Sequence, residues 1–357
     1  MTRLQALNLV HGEWQPAQSG AWGTRHDPAD GSELGRYAAS GRADADAAIA
    51  AARRAFDQPG WSQNPRLRQM VMLRWADRLE ARASELAQLL TRENGKVIAQ
   101  SRGEIGGAIS EIRYYAGLAR YMPGHVFEVE PGAFSTLLKE PAGVAGIIVP
   151  WNAPAVLLIR SLTPALAAGC TTVIKPAPQT SLITAALIAE LHAVEGLPPG
   201  VVNLVSEDGH EVAARLVESA DVDVISFTGS NATGQRIMAA AAPTMKKLSL
   251  ELGGKSSCLV FDDADVQAVA PALAAAATII SGQQCTAARR VLVHAKHYDA
   301  MKTALTAALQ SLQVAPGMTA RFRSKNFGAI FGTASDRMVA TVQPSSLVTV
   351  STGRGCE

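Results

Sequence analysis

An excess of charge of one sign, patterned cysteines and the usual nucleotide-binding glycine loops are all missing from this 357-residue sequence. Lys and Arg number 33 against 31 Asp and Glu, a balance too even for a nucleic-acid or anionic-membrane surface. The four cysteines, Cys170, Cys258, Cys285 and Cys356, share no metal-like spacing, so neither a metal site nor a disulfide framework is expected. Reduced thiols in the cytosol are the plainer reading. Gly-x-Gly-x-x-Gly and the Walker loop are both absent, which removes the standard dinucleotide and nucleotide fingerprints. Aromatics are scarce at 5%, yet hydrophobic residues reach 48% and charged ones only 18%, a core-forming composition that excludes intrinsic disorder.

Membrane insertion is excluded on similar grounds. The N-terminus has no long apolar core, so no signal peptide is expected. Residues 142–159 are polar only at Asn152 and approach the length of a membrane span. Pro150 and Pro154 bracket Asn152, however, and break any helix through the middle of that stretch. Two buried elements joined by a sharp turn fit better, in a soluble cytoplasmic protein.

The length suggests roughly two domains of about 150 residues. Residues 8–23 read as a short strand pair. Helices follow at about 43–57, 65–92 and 98–121. The second carries Leu67, Val71, Trp75 and Leu79 at i+4 steps, the stripe of an amphipathic helix, and Asn94-Gly95 ends it with a left-handed cap. Residues 125–140 read as a β-hairpin turning at Pro131-Gly132. From 144 onward, apolar strands at 144–149, 171–174, 201–205, 224–227, 256–261 and 291–294 alternate with helices at about 153–168, 180–195, 210–219, 231–242 and 263–281. That alternation predicts an α/β fold with a parallel, helix-covered sheet. The stretches 318–326 and 345–357 show neither period and do not resemble the end of a packed domain.

Five short segments contain residues suited to chemistry. Cys285 sits in Ser-Gly-Gln-Gln-Cys after an Ala-rich helix, where a loop thiol is a candidate nucleophile; a free cysteine is more often an inert core residue. Glu251 lies in an apolar strand-like run before two glycines, and partial desolvation there suits a general base. An edge-strand carboxylate facing water explains the same letters. Asn152 is an amide that either satisfies nearby backbone or donates to a ligand oxygen. Phe227-Thr228-Gly229-Ser230 ends a strand and opens a helix, which suits phosphate binding or a plain N-cap. Lys175-Pro176 follows a strand at the end where α/β sheets bind ligands, or is simply a solvated lysine.

The order and spacing of these segments are more telling. Pro150-Trp151-Asn152, Lys175-Pro176, Phe227-Thr228-Gly229-Ser230, Glu251-Leu252-Gly253-Gly254-Lys255 and Gly282-Gln283-Gln284-Cys285 occur in sequence, with 99 residues from Asn to Glu and 34 from Glu to Cys. This set resembles the NAD(P)-dependent aldehyde dehydrogenase superfamily over about residues 8–316. The resemblance implies an enzyme that oxidises a small-molecule aldehyde to its acid with NAD or NADP. Cys285 is then the nucleophile, Asn152 an oxyanion donor together with the Cys285 N–H, and Glu251 the base that activates water. Lys175 holds the adenosine-side ribose, and Thr228, Gly229 and Ser230 meet the pyrophosphate. Ile148, Val149, Pro150 and Trp151 wall the cofactor, and Phe227, Leu252 and Gly253 complete its contacts. Residues 1–124 and 142–250 correspond to the dinucleotide-binding domain and 251–317 to part of the catalytic domain. The hairpin at 125–141 matches the arm that builds a homodimer or homotetramer, and 318–357 is a divergent tail.

Three departures qualify the resemblance. Many NAD-preferring members have Glu three residues after the lysine; here that position is Pro178, which leaves NADP open. An aromatic and a Trp-Lys pair are replaced by Ala153, Arg160 and Ser161, which suggests a polar or anionic substrate tail near Arg160. Family members also continue well past residue 357 through a Glu-x-Phe-Gly-Pro segment. Similarity fades at Met318, returns at 334–339 and is lost by Gln343, as in a C-terminally truncated chain with a shifted reading frame. Two alternatives to the oxidising enzyme therefore stand: a truncated inactive homologue that retains at most nucleotide binding, and an enzyme that transfers the acyl group to coenzyme A. Glu251 argues against the second, because thiol attack needs no water-activating base.

Overall fold

The computed structural model describes residues 4–312, 314–319, 338–342 and 347–352. The N-terminal strands are β1 (Leu4–Ala6), β2 (Asn8–Val10), β3 (Glu13–Gln15), β4 (Trp22–His26) and β5 (Glu33–Ala38). β2 and β3 pair antiparallel around His11-Gly12. Both turn residues have positive φ, 52° and 82°, the conformation a two-residue hairpin needs to match strand twist. β4 leaves this pair and joins β1 and β5 in a separate three-stranded sheet.

Helices α1 (Arg42–Asp57), α2 (Pro59–Ser62), α3 (Pro65–Ala81), α4 (Ala83–Asn94) and α5 (Ile98–Leu118) follow. The single helix expected over 65–92 is thus two. Arg82 interrupts it with φ −110° and ψ 13°, and its guanidinium is held by Glu85 and by the buried Glu190. Gly95 ends α4 at φ 83°, and an added Cβ there would lie 2.8 Å from Pro28, so both backbone and space require glycine. β6 (His125–Glu130) and β7 (Ala133–Leu137) form the expected hairpin, exposed along its whole length.

The remaining elements are β8 (Val144–Ile148), α6 (Pro154–Ala168), β9 (Thr171–Lys175), α7 (Ser181–His192), β10 (Val202–Leu204), α8 (Glu211–Glu218), β11 (Val224–Gly229), α9 (Asn231–Ala241), β12 (Lys247–Leu252), β13 (Ser257–Val260), α10 (Val266–Thr278), β14 (Arg290–His294), α11 (Tyr298–Gln310), β15 (Met338–Val342) and β16 (Leu347–Thr352). The stretch 142–159 resolves into β8, a turn and α6, with Pro154 in the first turn of the helix, where its missing N–H costs nothing. Among the described residues no helix is long and apolar enough to cross a membrane.

A seven-stranded sheet in the order β12-β11-β8-β9-β10-β2-β3 organises the fold. Pairing from β12 through β10 is parallel, as the alternation of strands and helices predicts. Successive strand residues bury on opposite faces: Ile147, Ile174 and Leu204 join one core cluster, while Ile148, Val173 and Val205 join another. The first cluster is covered by α3 to α7 and the second by α1 and α8. A third cluster, built on Val260, Leu273, Val293 and Met301, lies under α10 and α11 beside a four-stranded sheet ordered β13-β14-β16-β15. β16 occupies a stretch in which no strand is expected. Leu347-Val348-Thr349-Val350 is rich in β-branched residues, and its backbone pairs antiparallel with β14. The segment 320–337 and Cys356 lie outside the described residues.

Glu93, near the end of α4, is fully buried and accepts the N–H groups of Leu182 and Ile183 at 2.8 Å, capping α7 from another helix. Burial pushes its carboxyl up to about 7, against the pull of those two N–H groups and Arg25. The folded state therefore holds this proton more tightly than the unfolded chain does. The contribution is full below the unfolded value of 4.5 and is lost as pH rises through about 7, an effect on the order of 3 kcal/mol. The stability advantage of wild type over Glu93→Gln should shrink from pH 5 to pH 8 in urea titrations; a gap independent of pH would contradict the assignment.

Candidate functional site

The parallel register sets the predicted residues side by side at the carboxyl end of the sheet. Lys175 of β9 is level with Ile148 of β8, and Ile148 is level with Phe227 of β11. One residue further along, Thr228 lies opposite Glu251 of β12, and then Gly229 opposite Leu252. Val149 donates its N–H to the Lys175 carbonyl at 2.9 Å, which extends the ladder to the edge of the Pro150 turn. Ile148, Val149 and Phe227 are buried, whereas Pro150, Trp151, Pro178, Thr228, Gly229 and Ser230 are half-buried.

Beyond Gly229 the chain enters α9. Ser230 is its N-cap and accepts the Thr233 N–H at 3.2 Å. An added Cβ at Gly229 would lie 2.4 Å from the Phe227 ring, so glycine is required for the ring to fold back over the strand end. A strand end leading into a capped helix start offers N–H groups to an anion. Lys175 is buried at the end of β9, and its ammonium lies 3.3 Å from Glu207. An apolar wall, a buried ammonium and a helix start on adjacent parallel strands fit a dinucleotide, whose ring, ribose and pyrophosphate need those three environments.

Asn152 is brought to the cysteine loop. Its Nδ2 donates to the Gln283 carbonyl at 2.8 Å, joining segments 131 residues apart, two residues before Cys285. The amide carries a second N–H. Among the described cysteines, Cys285 is exposed, Cys258 half-buried and Cys170 buried; burial pushes the Cys170 thiol up. The Cys285 loop leaves α10 through Ile280 and Ser281, which hold φ of 51° and 55°, followed by Gly282 at 78°. Left-handed backbone at a β-branched residue is costly, roughly 1–2 kcal/mol per residue, and such strain concentrates at functional sites. The α10 helix therefore stops at Thr278, short of the expected 281, and Cys285 projects from a bend rather than a helix.

Of the two readings of Glu251, a partly desolvated carboxylate or an edge-strand carboxylate facing water, the structure agrees with the second. Glu251 lies on β12, the edge strand of the sheet, its side chain is exposed, and among the described residues its carboxylate makes no hydrogen bond or ion pair. Leu252 and Gly253 are exposed beside it. Arg160, expected near a substrate tail, is exposed and bound to Glu111 at 2.9 Å, so its charge already has a partner. Among the described residues no group of His, Cys, Asp and Glu is placed to hold a metal ion. A cleft lined by Gln18, Ser40, Arg42, Asp44, Glu207 and His210 contains none of the residues expected from the sequence and borders the site only through Glu207, the partner of Lys175.

A clamp behind Asn152 has no signature in the sequence. Lys96, just after the α4 cap, is 1% exposed and forms an ion pair with Glu104 of α5. The same ammonium donates to the Asn152 carbonyl at 2.8 Å, and Asn94 donates to the Trp151 carbonyl at 2.6 Å. Glu104 in turn accepts the N–H groups of Ala155 and Val156, at 2.8 and 3.2 Å, capping α6. Burial pulls the Lys96 ammonium below the usual lysine range, opposed by Glu104. The turn that carries Asn152 is thus held from both sides by one buried pair. Asn-Gly-Lys reads only as a helix stop, and nothing in its spacing announces the burial of the lysine.

The sequence profile of the aldehyde dehydrogenase family matches residues 14–342, and the chain belongs to that family. It is 40% identical over 316 residues to a mitochondrial succinate-semialdehyde dehydrogenase of Arabidopsis thaliana, covering 88% of this chain and 59% of the relative. Among solved structures it is similar to a betaine aldehyde dehydrogenase of Staphylococcus aureus in complex with NAD+, at 33% identity and TM-score 0.85, covering 89% of this chain and 63% of that one. An NADP-dependent enzyme of E. coli is 35% identical with TM-score 0.84, covering 89% and 66%. The chain therefore spans about three-fifths of the length of the curated relatives it matches. The family match continues past Met318 to residue 342.

Removing one partner of the Lys96–Glu104 pair leaves a buried charge uncompensated, which costs about 3–5 kcal/mol. Lys96→Met should lose that much stability in urea titrations, and Lys96→Met/Glu104→Gln should recover part of it. Equal losses for the single and double variants would show that the pair is not the source.

Proposed function

We propose that the chain oxidises an aldehyde to its carboxylic acid, with NAD or NADP as hydride acceptor and Cys285 as nucleophile. The observation that carries this reading is the Asn152–Gln283 hydrogen bond, which sets a side-chain amide beside the backbone of the loop that exposes Cys285. The Cys285 thiolate adds to the aldehyde carbon. The oxyanion that results is stabilised by the Cys285 N–H and the second Asn152 N–H, the preorganised donors such a charge requires. When bound, the cofactor supplies the acceptor for the hydride that leaves this carbon, and a thioester on Cys285 remains. Glu251 takes a proton from the water that hydrolyses it; its exposure on β12 leaves it accessible to that water.

Lys175, with Ile148, Val149, Pro150 and Trp151, would hold the adenosine side and ring wall of the cofactor. Phe227, Thr228, Gly229 and Ser230, with Leu252 and Gly253, would hold the pyrophosphate and the far side. We read residues 1–124 and 142–250 as the cofactor-binding domain and 251–317 as part of the catalytic domain, in keeping with the separate third core cluster. The hairpin at 125–141 exposes Val126, Phe127, Val129, Phe134 and Leu137. A two-stranded hairpin is marginal alone, and its apolar surface supports a homodimer or homotetramer built through it. Free thiols support a cytosolic setting.

Following reduced-cofactor formation with a panel of aldehydes tests this reading. Wild type should turn over at least one aldehyde, and Cys285→Ala should lose about a thousandfold or more in kcat, the usual loss for a removed nucleophile. Turnover that survives Cys285→Ala would refute the proposed nucleophile.

A further inference from the structure

The cation at the adenosine end of the proposed cofactor site is already matched by a buried anion. Lys175 closes β9, and Glu207 follows β10, the next strand of the sheet. Their charged groups are 3.3 Å apart, with side-chain exposures of 11% and 1%. Glu207 also accepts the Val212 N–H at 2.7 Å and the Ala213 N–H at 3.2 Å, which fastens it to the start of α8. Three donors from two elements fix the carboxylate, so it cannot swing into solvent when a ligand arrives. Two arginines on the flanking helices are engaged elsewhere: Arg42 of α1 is paired with Glu218, and Arg215 of α8 with Asp46. The neighbouring Asp208 accepts from the Tyr37 hydroxyl at 2.7 Å. Position 178, three residues after the lysine, is a proline and contributes no charge.

We infer that Glu207 makes this site selective for a dinucleotide whose adenosine ribose carries a free 2′-hydroxyl, so that NAD+ is preferred over NADP+. The inference rests on the reading of Lys175 as the ribose contact. A ribose hydroxyl can donate to the carboxylate and accept from the ammonium, satisfying both buried groups. A 2′-phosphate carries between one and two negative charges and needs a surplus of positive charge. Here it would meet an ammonium already neutralised, beside a carboxylate that little water can screen. The carboxylate comes from the segment after the adjacent strand rather than from the lysine's own loop, so inspection of position 178 alone misses it.

Calorimetric titration of the purified chain with NAD+ and NADP+, without aldehyde, tests this. Wild type should bind NAD+ at least about tenfold more tightly. Glu207→Gln, which removes the charge and keeps the shape, should narrow that ratio about tenfold, chiefly by tighter NADP+ binding. If that variant does not fold, Glu207→Ser carries the same comparison. Measurable binding of both dinucleotides with equal affinity, tighter binding of NADP+, or a ratio unchanged in a folded Glu207 variant would overturn the inference while leaving the proposed function intact. Binding of neither dinucleotide would overturn the cofactor site itself, and the inference with it.

Discussion

Parallel pairing between β9, β8, β11 and β12 is the constraint on which the candidate site depends. Side chains alternate faces along a strand, so a slip of one residue would turn a whole row over. The burial of Ile147 and Ile148 on opposite faces makes such a slip prohibitive, since each of these side chains contributes roughly 1.5–3 kcal/mol in its proper core. With the register locked, Lys175, Ile148 and Phe227 line up, and Thr228 and Gly229 follow beside Glu251 and Leu252. The row follows from core packing, and the candidate site residues stand at its carboxyl end.

A second constraint acts on the turn after β8. Pro150 and Pro154 stop regular structure from running through Asn152, but they do not by themselves fix its direction. That task falls to the buried Lys96–Glu104 pair, which holds the Asn152 carbonyl and the first N–H groups of α6 together. The side chain is then free to reach Gln283. The left-handed bend at Ile280 and Ser281 supplies the other half by turning the cysteine loop out of α10. An ordered turn and a strained loop thus meet at one hydrogen bond.

Much of this was legible in the sequence, and the gaps have identifiable causes. Apolar runs alternating with helical stripes predict the parallel sheet, because strands buried on both faces need continuous hydrophobicity. The break at Arg82 leaves no mark in the sequence, since the leucine stripe continues past it and the interruption is stabilised by Glu190 from a distant helix. The strand character of β16 lies in four residues within a polar stretch, too short a run to stand out from sequence alone. At the site, loop cysteine and turn asparagine could be named from motif order, yet the partner groups Lys96, Glu104 and Glu207 could not. Each of these acts through burial and through partners on other elements, which local spacing does not record. Glu251 is ambiguous in sequence, since an apolar neighbourhood suits both a desolvated carboxylate and an edge strand, and only the sheet order decides for exposure.

These features together define a row of strand ends that is electrically balanced at Lys175 and Glu207 and that leads at its other side toward an exposed thiol. A crystal structure of the chain soaked with NAD+ tests that account most directly. The account predicts a dinucleotide lying across the carboxyl ends of β9, β8 and β11, with its ribose at Lys175 and Glu207 and its nicotinamide directed toward Cys285. A dinucleotide bound away from that edge, or a Cys285 loop separated from Asn152 in the bound state, would contradict it.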